Sequence, residues 1–178
     1  MTNKLANVTV LILEDHRNMR LLWRGILLAF GIRTVYEAES AEEAFKEIAD
    51  KSIDVVIVDQ HLDGLTGAEF ISMLRRAPDS PSQHVPAIAC TADTRKSTLK
   101  LFIDAGVDEI LAKPVSADQA WKKLSMVINH RRRFVKTPFY YGPDRRRKVM
   151  PHYTGKERRK VQPEEIDPPG GDDMNYAL

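Results

Sequence analysis

Four short apolar runs along the chain are followed directly by chemically capable side chains, five in all: Glu14 and Asp15, Asp59, Thr91, and Lys113 followed by Pro114. Carboxylates gathered at one point repel one another, and a hard divalent cation is their natural neutraliser. Mg²⁺ takes oxygen ligands, keeps several waters and commonly uses one or two carboxylates plus a phosphate oxygen. A lysine acting as a point charge and a threonine hydroxyl acting as a donor complete a site for a phosphoryl group. The residue types therefore point to Mg²⁺-assisted phosphoryl chemistry with a carboxylate available as nucleophile. Taken singly, each has a plainer role: Asp15 as a helix N-cap, Asp59 as a turn former, Thr91 as a strand end, Lys113 as surface charge. Their joint recurrence after apolar runs is what marks a site.

Convergence of these residues depends on the elements that carry them. Val8 to Leu13, Thr34 to Ala38, Asp54 to Val58, Ala87 to Thr91 and Glu109 to Ala112 read as strands. Each is a short apolar or β-branched run bounded by polar residues. Helical periodicity fills the gaps. Asp15 caps a first helix with Met19, Leu22, Ile26 and Phe30 at three-to-four spacing, closed by Gly31. Ser40 and Glu43 form a capping box before a second helix with Ala44, Ile48 and Ala49 on one face. A third runs through Phe70, Ile71 and Leu74 and ends before Pro78, where a Pro/Ser-rich loop extends to Pro86. The fourth spans Lys96 to Ala105 before Gly106, and the fifth Ser116 to about Arg131, with Trp121, Leu124, Val127 and Ile128 as a core stripe. Five strands alternating with five helices predict an α/β fold, a doubly wound five-stranded parallel sheet with right-handed crossovers. In such sheets ligands sit beyond the carboxyl ends of the strands, where strand order reverses. That is where the five reactive positions lie.

At residues 8 to 130 the acidic pair Glu14-Asp15, the buried run ending at Asp59, Thr91-Ala92 and Lys113-Pro114 resemble the receiver domain of bacterial two-component response regulators. The resemblance implies a flavodoxin-like receiver fold of five βα units, like the chemotaxis regulators. It implies that Asp59 accepts a phosphoryl group from a phosphohistidine of a histidine kinase or histidine phosphotransfer protein. Asp15, Asp59 and the backbone carbonyl of His61 would ligate Mg²⁺, with Glu14 acting through water. Lys113 would pair with the acyl phosphate. Thr91, with Ala92 beside it, would bind a phosphoryl oxygen and relay the switch, and Pro114 would follow a cis peptide. His61 and Asp93 occupy positions flanking the path of hydrolytic water, so they would tune dephosphorylation. No catalysis is implied beyond the protein's own phosphorylation and dephosphorylation.

Three departures from the receiver pattern stand out. Asp63 replaces a proline four positions after the phosphoacceptor, and Thr66 stands where Asp or Asn often precedes the second glycine, although Gly64 and Gly67 remain. Ile110 occupies the place, three before the lysine, of a switching Tyr or Phe. Signal transmission must therefore use another contact.

The formal charge of +2 over 178 residues hides a sharp division. Residues up to His130 carry 15 basic and 18 acidic side chains, Arg131 to Lys160 carry 12 and 2, and the last eighteen carry 5 acids and no bases. Such asymmetry reports a tail with its own binding role. Residues 131–178, rich in Arg, Pro and Gly, are expected to be largely irregular and flexible. They contain a twofold repeat: Tyr140-Tyr141-Gly142-Pro143-Asp144-Arg145-Arg146-Arg147 aligns with Tyr153-Thr154-Gly155-Lys156-Glu157-Arg158-Arg159-Lys160. Arg145, Arg146, Arg158 and Arg159 with Tyr141 and Tyr153 suit phosphates and stacked rings, so RNA, DNA, a nucleotide or an acidic protein surface are candidate ligands. Two intramolecular targets are also open: the acidic end folding back on the basic stretch, or the arginines lying over the acidic pocket.

No apolar run reaches the length of a membrane span and no secretory leader is visible, so a cytoplasmic protein without membrane insertion is expected. Cys90 alone makes neither an internal disulfide nor a zinc cluster, and in an apolar run it reads as a small core residue. The leading function is a phosphorelay response regulator that signals through an unidentified downstream protein, with no DNA-binding output domain, and with dimerisation through the last helix as an option. Two other classes compete. One is a receiver-regulated RNA- or nucleotide-binding protein acting through its tail. The other is a Mg²⁺-dependent phosphatase with Asp59 as nucleophile, disfavoured because His61 stands where those enzymes place a general acid and no cap domain is present.

Overall fold

The apolar runs of the sequence become a single parallel sheet, in a computed structural model that describes residues 5–77, 81–146 and 163–167. In chain order the elements are β1 (Thr9–Leu13), α1 (Arg17–Ala29), β2 (Thr34–Ala38), α2 (Ala41–Asp50) and β3 (Val55–Asp59). The two-residue strands β4 (His61–Leu62) and β5 (Leu65–Thr66) pair as a small hairpin before α3 (Gly67–Arg76) and a 3-10 turn (Pro81–His84). Then come β6 (Ala87–Thr91), α4 (Lys96–Ala105), β7 (Glu109–Ala112) and α5 (Ala117–Asn129). The sheet order is β2-β1-β3-β6-β7, every pair parallel, so strand order reverses beside β1. This is the doubly wound five-stranded fold expected from the alternation of elements.

Period-two alternation along the strands feeds two cores. Leu11, Leu13, Val56 and Val58 face one with Phe70 and Phe102, while Val10, Ile12 and Ile57 face the other with Trp23 and Leu27. Both faces are covered, which is why these strands read as unbroken apolar runs. Burying an aromatic or branched side chain of this kind is worth roughly 1.5–3 kcal/mol, so the strand ends are held by a rigid frame.

Local signals explain the helix boundaries, with corrections. Ser40 caps α2 by accepting from the Glu43 N–H, but the Glu43 carboxylate reaches the N–H of Glu39, and Ala49 is exposed beside buried Ala44 and Ile48. The N-cap of α1 is His16, not Asp15. The buried stripe of α1 is Arg20, Trp23 and Leu27, whereas Leu22 is half exposed. Thr66 is explained by its own chemistry: it caps α3 in a complete capping box with Glu69. Gly31 and Gly106 both take positive φ where helices end. On α5, Leu124 and Val127 are buried while Trp121 lies at the surface, edge-on to Phe30, which caps the C-terminus of α1.

Among the described residues the extension beyond α5, expected to be largely irregular, includes an ordered unit. Strands β8 (Phe134–Thr137) and β9 (Tyr140–Pro143) form a hairpin, and β10 (Glu164–Ile166) pairs with β8. Of the two intramolecular options, the folding back of the acidic end is the one seen among the described residues. Glu165 and Asp167 lie 3.4 and 3.1 Å from the Arg133 guanidinium.

The hairpin docks at the end of the sheet where β6 and β7 begin. Arg75, buried on α3, donates to the carbonyls of Gly106, Gln83 and Val85 at 3.0, 2.7 and 2.7 Å. It ion-pairs with buried Asp108 at 2.8 Å, and its guanidinium carbon lies 5.2 Å from the Phe134 ring centroid. Asp108 in turn accepts from the N–H of Ala87 at 2.9 Å. Burial lowers the Arg75 pKa and raises that of Asp108, each opposed by the charge of the other. Arg132 donates to the carbonyls of Val107, Asp108 and Asp144, and the Tyr141 hydroxyl lies 3.0 Å from His84 Nε2.

Candidate functional site

Parallel pairing in register brings the carboxyl ends of β1, β3, β6 and β7 to one edge of the sheet. Leu13 sits beside Val58, Asp59 beside Cys90, and Thr91 beside Ala112. The loops that leave these ends carry Glu14-Asp15, Asp59, Thr91 and Lys113. Asp59 is 6% exposed and Glu14 2%, so two carboxylates lie nearly out of water.

Lys113 joins them. Its Nζ lies 2.5 Å from Asp59 Oδ1 and 3.3 Å from Glu14 Oε2. The lysine is delivered by a backbone bond from its own N–H to the Thr91 carbonyl at 2.8 Å and is followed by a cis Lys113–Pro114 peptide. Burial lowers the Lys113 pKa, but the hydrogen bond and charge of Asp59, with Glu14, outweigh it and hold the amine protonated above its ordinary value. Glu14 is pushed up, first by burial and then by the Asp59 charge, with Lys113 pulling it back.

Asp59 is held by its neighbours. Its Oδ2 accepts from the His61 N–H at 3.0 Å, and Gly67 N donates to the Gln60 carbonyl at 2.9 Å. The start of α3 presses against this turn: a Cβ on Gly67 would overlap the Asp59 carbonyl oxygen and sit 3.0 Å from its carbon. Glycine at 67 is thus required by close approach.

Asp15 is partly exposed, with Oδ1 2.6 Å from His16 Nδ1, and Glu14, Asp15 and His16 present ligand atoms within 4.8 Å of one another. Asp15 raises the pKa of the exposed His16 ring, chiefly through that hydrogen bond. The oxygen donors of Glu14, Asp15 and Asp59 suit a hard divalent cation, which would offset both the burial that chiefly raises Glu14 and the smaller push from the Asp59 charge.

Arg20 is a site residue that sequence reasoning missed. Its guanidinium donates to the carbonyls of Glu14 and Asp15 at 2.8 and 3.0 Å, and pairs with Glu37 at 3.4 Å and with Glu39. It fixes the loop that presents the acidic pair. The available signal was its phase: Arg20, Trp23 and Leu27 share one helical stripe, so a charged residue in register with the buried face needed a polar target.

Thr91 is 1% exposed, and its hydroxyl is engaged with the next turn, accepting from Asp93 N at 2.9 Å and donating to Asp93 O at 3.3 Å. Ala92 is exposed between them. The Asp93 carboxylate is committed to Arg95 and to the Thr98 hydroxyl, at 2.6 and 2.7 Å, which holds it far below the usual carboxylate range. His61 reaches the site through its N–H, while the residue as a whole is exposed. Cys90 is buried, and burial raises its thiol pKa strongly, in keeping with a core residue.

The described tail residues lie elsewhere. Tyr141, Arg145 and Arg146 sit near the opposite end of the strands, roughly 15 Å away along five-residue strands. Arg145 pairs with Asp104 at 3.0 Å and stacks 4.2 Å from the Tyr140 centroid, Arg146 bonds Asp144, and Tyr141 packs on His84 and Phe134. Tyr141 and Arg145 are thus used in docking the first copy of the repeat, not laid over the acidic pocket. Tyr153, Arg158 and Arg159 fall outside the described residues.

Comparison with known proteins agrees with this geometry. Residues 10–125 match the response regulator receiver domain family. The chain is 27% identical over 114 residues to the sensory/regulatory protein RpfC of Xanthomonas campestris, covering 64% of this chain and 16% of that protein. It thus spans about a sixth of RpfC, against 92% of Vibrio cholerae chemotaxis protein CheY-3, with which it shares 25% identity over 68% of its own length. The fold matches the receiver domain of the Pseudomonas aeruginosa sensor histidine kinase PA1611 at a TM-score of 0.62 and 23% identity, over 68% of this chain and 98% of that one. That domain carries a magnesium ion in its active-site cleft. No described helix is long and apolar enough to cross a membrane. With a family match spanning well over half of its residues and the acidic pocket at the strand ends, the chain belongs to the response regulator receiver domain family of two-component signalling.

Proposed function

We propose that this protein is a phosphoacceptor switch in which Asp59 receives a phosphoryl group from the phosphohistidine of a histidine kinase or phosphotransfer protein, in the cytoplasm. The observation that carries the reading is the Lys113 ammonium bridging Asp59 and Glu14 in a buried acidic pocket at the carboxyl ends of β1, β3 and β7. In the transfer an Asp59 carboxylate oxygen attacks phosphorus, the P–N bond breaks, and the imidazole leaves with a proton taken from solvent. The product is an acyl phosphate on Asp59.

Asp15, Asp59 and the His61 carbonyl would hold Mg²⁺, with Glu14 acting through water. Bound there, Mg²⁺ supplies charge neutralisation for the phosphoryl oxygens. The chain's own residues do the rest. The His61 N–H fixes one oxygen of Asp59 and leaves the other toward Lys113. Lys113 then serves the phosphoryl oxygens as a preorganised cation, and Thr91 turns its hydroxyl from Asp93 to a phosphoryl oxygen. Asp93 is tied up by Arg95 and Thr98, so tuning of acyl phosphate lifetime falls to His61 more than to Asp93.

Incubation with a small phosphodonor is the test. An acid-stable, base-labile adduct of about 80 Da, the mass of one phosphoryl group, is expected with Mg²⁺ and not with EDTA. Labelling that ignores EDTA would contradict the metal assignment, and no labelling in Mg²⁺ would contradict the phosphoacceptor.

A further inference from the structure

The first copy of the Tyr-x-Gly-x-acid-Arg-Arg repeat is bound to the domain at the far end of α4 from the phosphoryl pocket. The grip is concentrated on the α4–β7 turn. Arg75 donates to Gly106 O from one side, and Arg132 donates to Val107 O and Asp108 O from the other. Between them the backbones of Gly106 and Gly142 meet so closely that a Cβ on Gly142 would lie 2.9 Å from Gly106 Cα. Two residues before Gly106, in the last turn of α4, Asp104 holds Arg145.

The near end of α4 is tied to the pocket by an equally specific chain of bonds. Thr91 Oγ1 holds the backbone of Asp93, and the Asp93 carboxylate holds Thr98 in the first turn of α4. Between these ends α4 is a ten-residue rod, about 15 Å long, whose buried residues are Thr98, Phe102 and Ala105. Leu101 and Ile103 stand in solvent. Ile110, in place of a ring that could swing, packs against the core on the α3 side.

We infer that the face made by the 3-10 turn, the end of α3 and the α4–β7 turn is an interaction surface for the chain's own residues 131–146, and that phosphorylation of Asp59 makes it release them. This rests on Asp59 being the phosphoacceptor. The Thr91 hydroxyl has one proton to donate. Given to a phosphoryl oxygen, it is withdrawn from Asp93 O, and the turn that anchors Thr98 rearranges. The rod transmits the shift to Gly106. Close-packed backbone contacts break in preference to deforming, so a small displacement there ejects Gly142. Release frees Tyr141 from His84 and Arg145 from Asp104, presenting a cationic, aromatic segment that the unphosphorylated protein holds down.

Hydrogen exchange of the full chain with Mg²⁺, with and without a small phosphodonor, tests this, with intact mass read on the same sample. Peptides covering 131–146 are expected to exchange at least about tenfold faster in the labelled protein. Thr98→Val keeps the shape of the buried side chain but removes its bond to Asp93. It is expected to take the label as wild type does and to keep its hairpin protected. Gly142→Ala is expected to exchange fast in both states. Labelled wild-type protein with unchanged exchange over 131–146 would overturn the inference while leaving Asp59 as phosphoacceptor. Wild-type-like release in Thr98→Val would overturn the route through α4. Absence of label would instead sink the phosphoacceptor reading and the inference with it.

Discussion

Lys113 Nζ stands 2.5 Å from Asp59 Oδ1, close enough that the ammonium and the carboxylate behave as one unit. Glu14 completes it at 3.3 Å. Replacing the cation by a chain of similar length, Lys113→Met, leaves two buried carboxylates facing each other. Transfer to Asp59 is expected to fall by at least about tenfold. Stability without Mg²⁺ is expected to drop by about 1–2 kcal/mol, discounted because the lysine is partly in water. The pH dependence has a definite sign. A Glu14 pKa raised above 4.5 means that the folded state takes up its proton before the unfolded state does, so stability lost at neutral pH returns as pH falls toward about 4.5. Urea unfolding of both proteins at several pH values checks this.

Arg20→Gln removes the clamp on the Glu14 and Asp15 carbonyls and leaves their loop free to move. Mg²⁺ affinity, read from intrinsic tryptophan fluorescence, is expected to weaken, with a stability cost of about 2 kcal/mol for a lost buried charged donor. Unchanged Mg²⁺ affinity would show that the loop is held in place without it.

At Gly67 the prediction is steric. Alanine there forces α3 away from the Asp59 carbonyl, so a helix-favouring substitution is expected to destabilise by about 1–3 kcal/mol. Labelling at Asp59 should fall in parallel. Thermal unfolding with labelling rate decides it.

His84 gives the hairpin its own pH response. Burial, then Arg131 and Arg75, hold its pKa below 6.5, and its ring packs against Phe134 and Tyr141. As pH falls through about 6.5 the unfolded state takes the proton first. The stability contributed by the neutral ring is therefore present above that pH and is lost as pH falls toward the lower folded value. Exchange of the 134–143 amides, corrected for intrinsic rate, is expected to speed up between pH 7.5 and pH 5.5 in wild type, about where a histidine titrates, and to change less in His84→Gln.

The pocket was legible because its residues follow strands buried on both faces, and such strands announce themselves as apolar runs with abrupt polar ends. Val55 to Val58 followed by Asp59 is the clearest instance. Arg20 escapes because an apolar stripe counted through Met19, Leu22, Ile26 and Phe30 passes it by, whereas the buried face runs through Arg20, Trp23 and Leu27. The docked hairpin escaped for a different reason. Its strands are four residues each, Phe134 and Val135 are flanked by arginine and lysine, and Phe134 packs on the Arg75 guanidinium and the His84 ring, polar groups far away in sequence. The repeat itself was visible, but a Tyr-Gly-Pro-Asp-Arg string carries no periodicity that says whether it binds a ligand or its own domain.

Locating the phosphoryl group is the most direct test of the account. After reaction with a small phosphodonor and Mg²⁺, proteolysis and fragmentation mass spectrometry should place the adduct on the peptide containing Asp59, and Asp59→Asn should carry none. A label that maps to another residue, or that persists in Asp59→Asn, would contradict it.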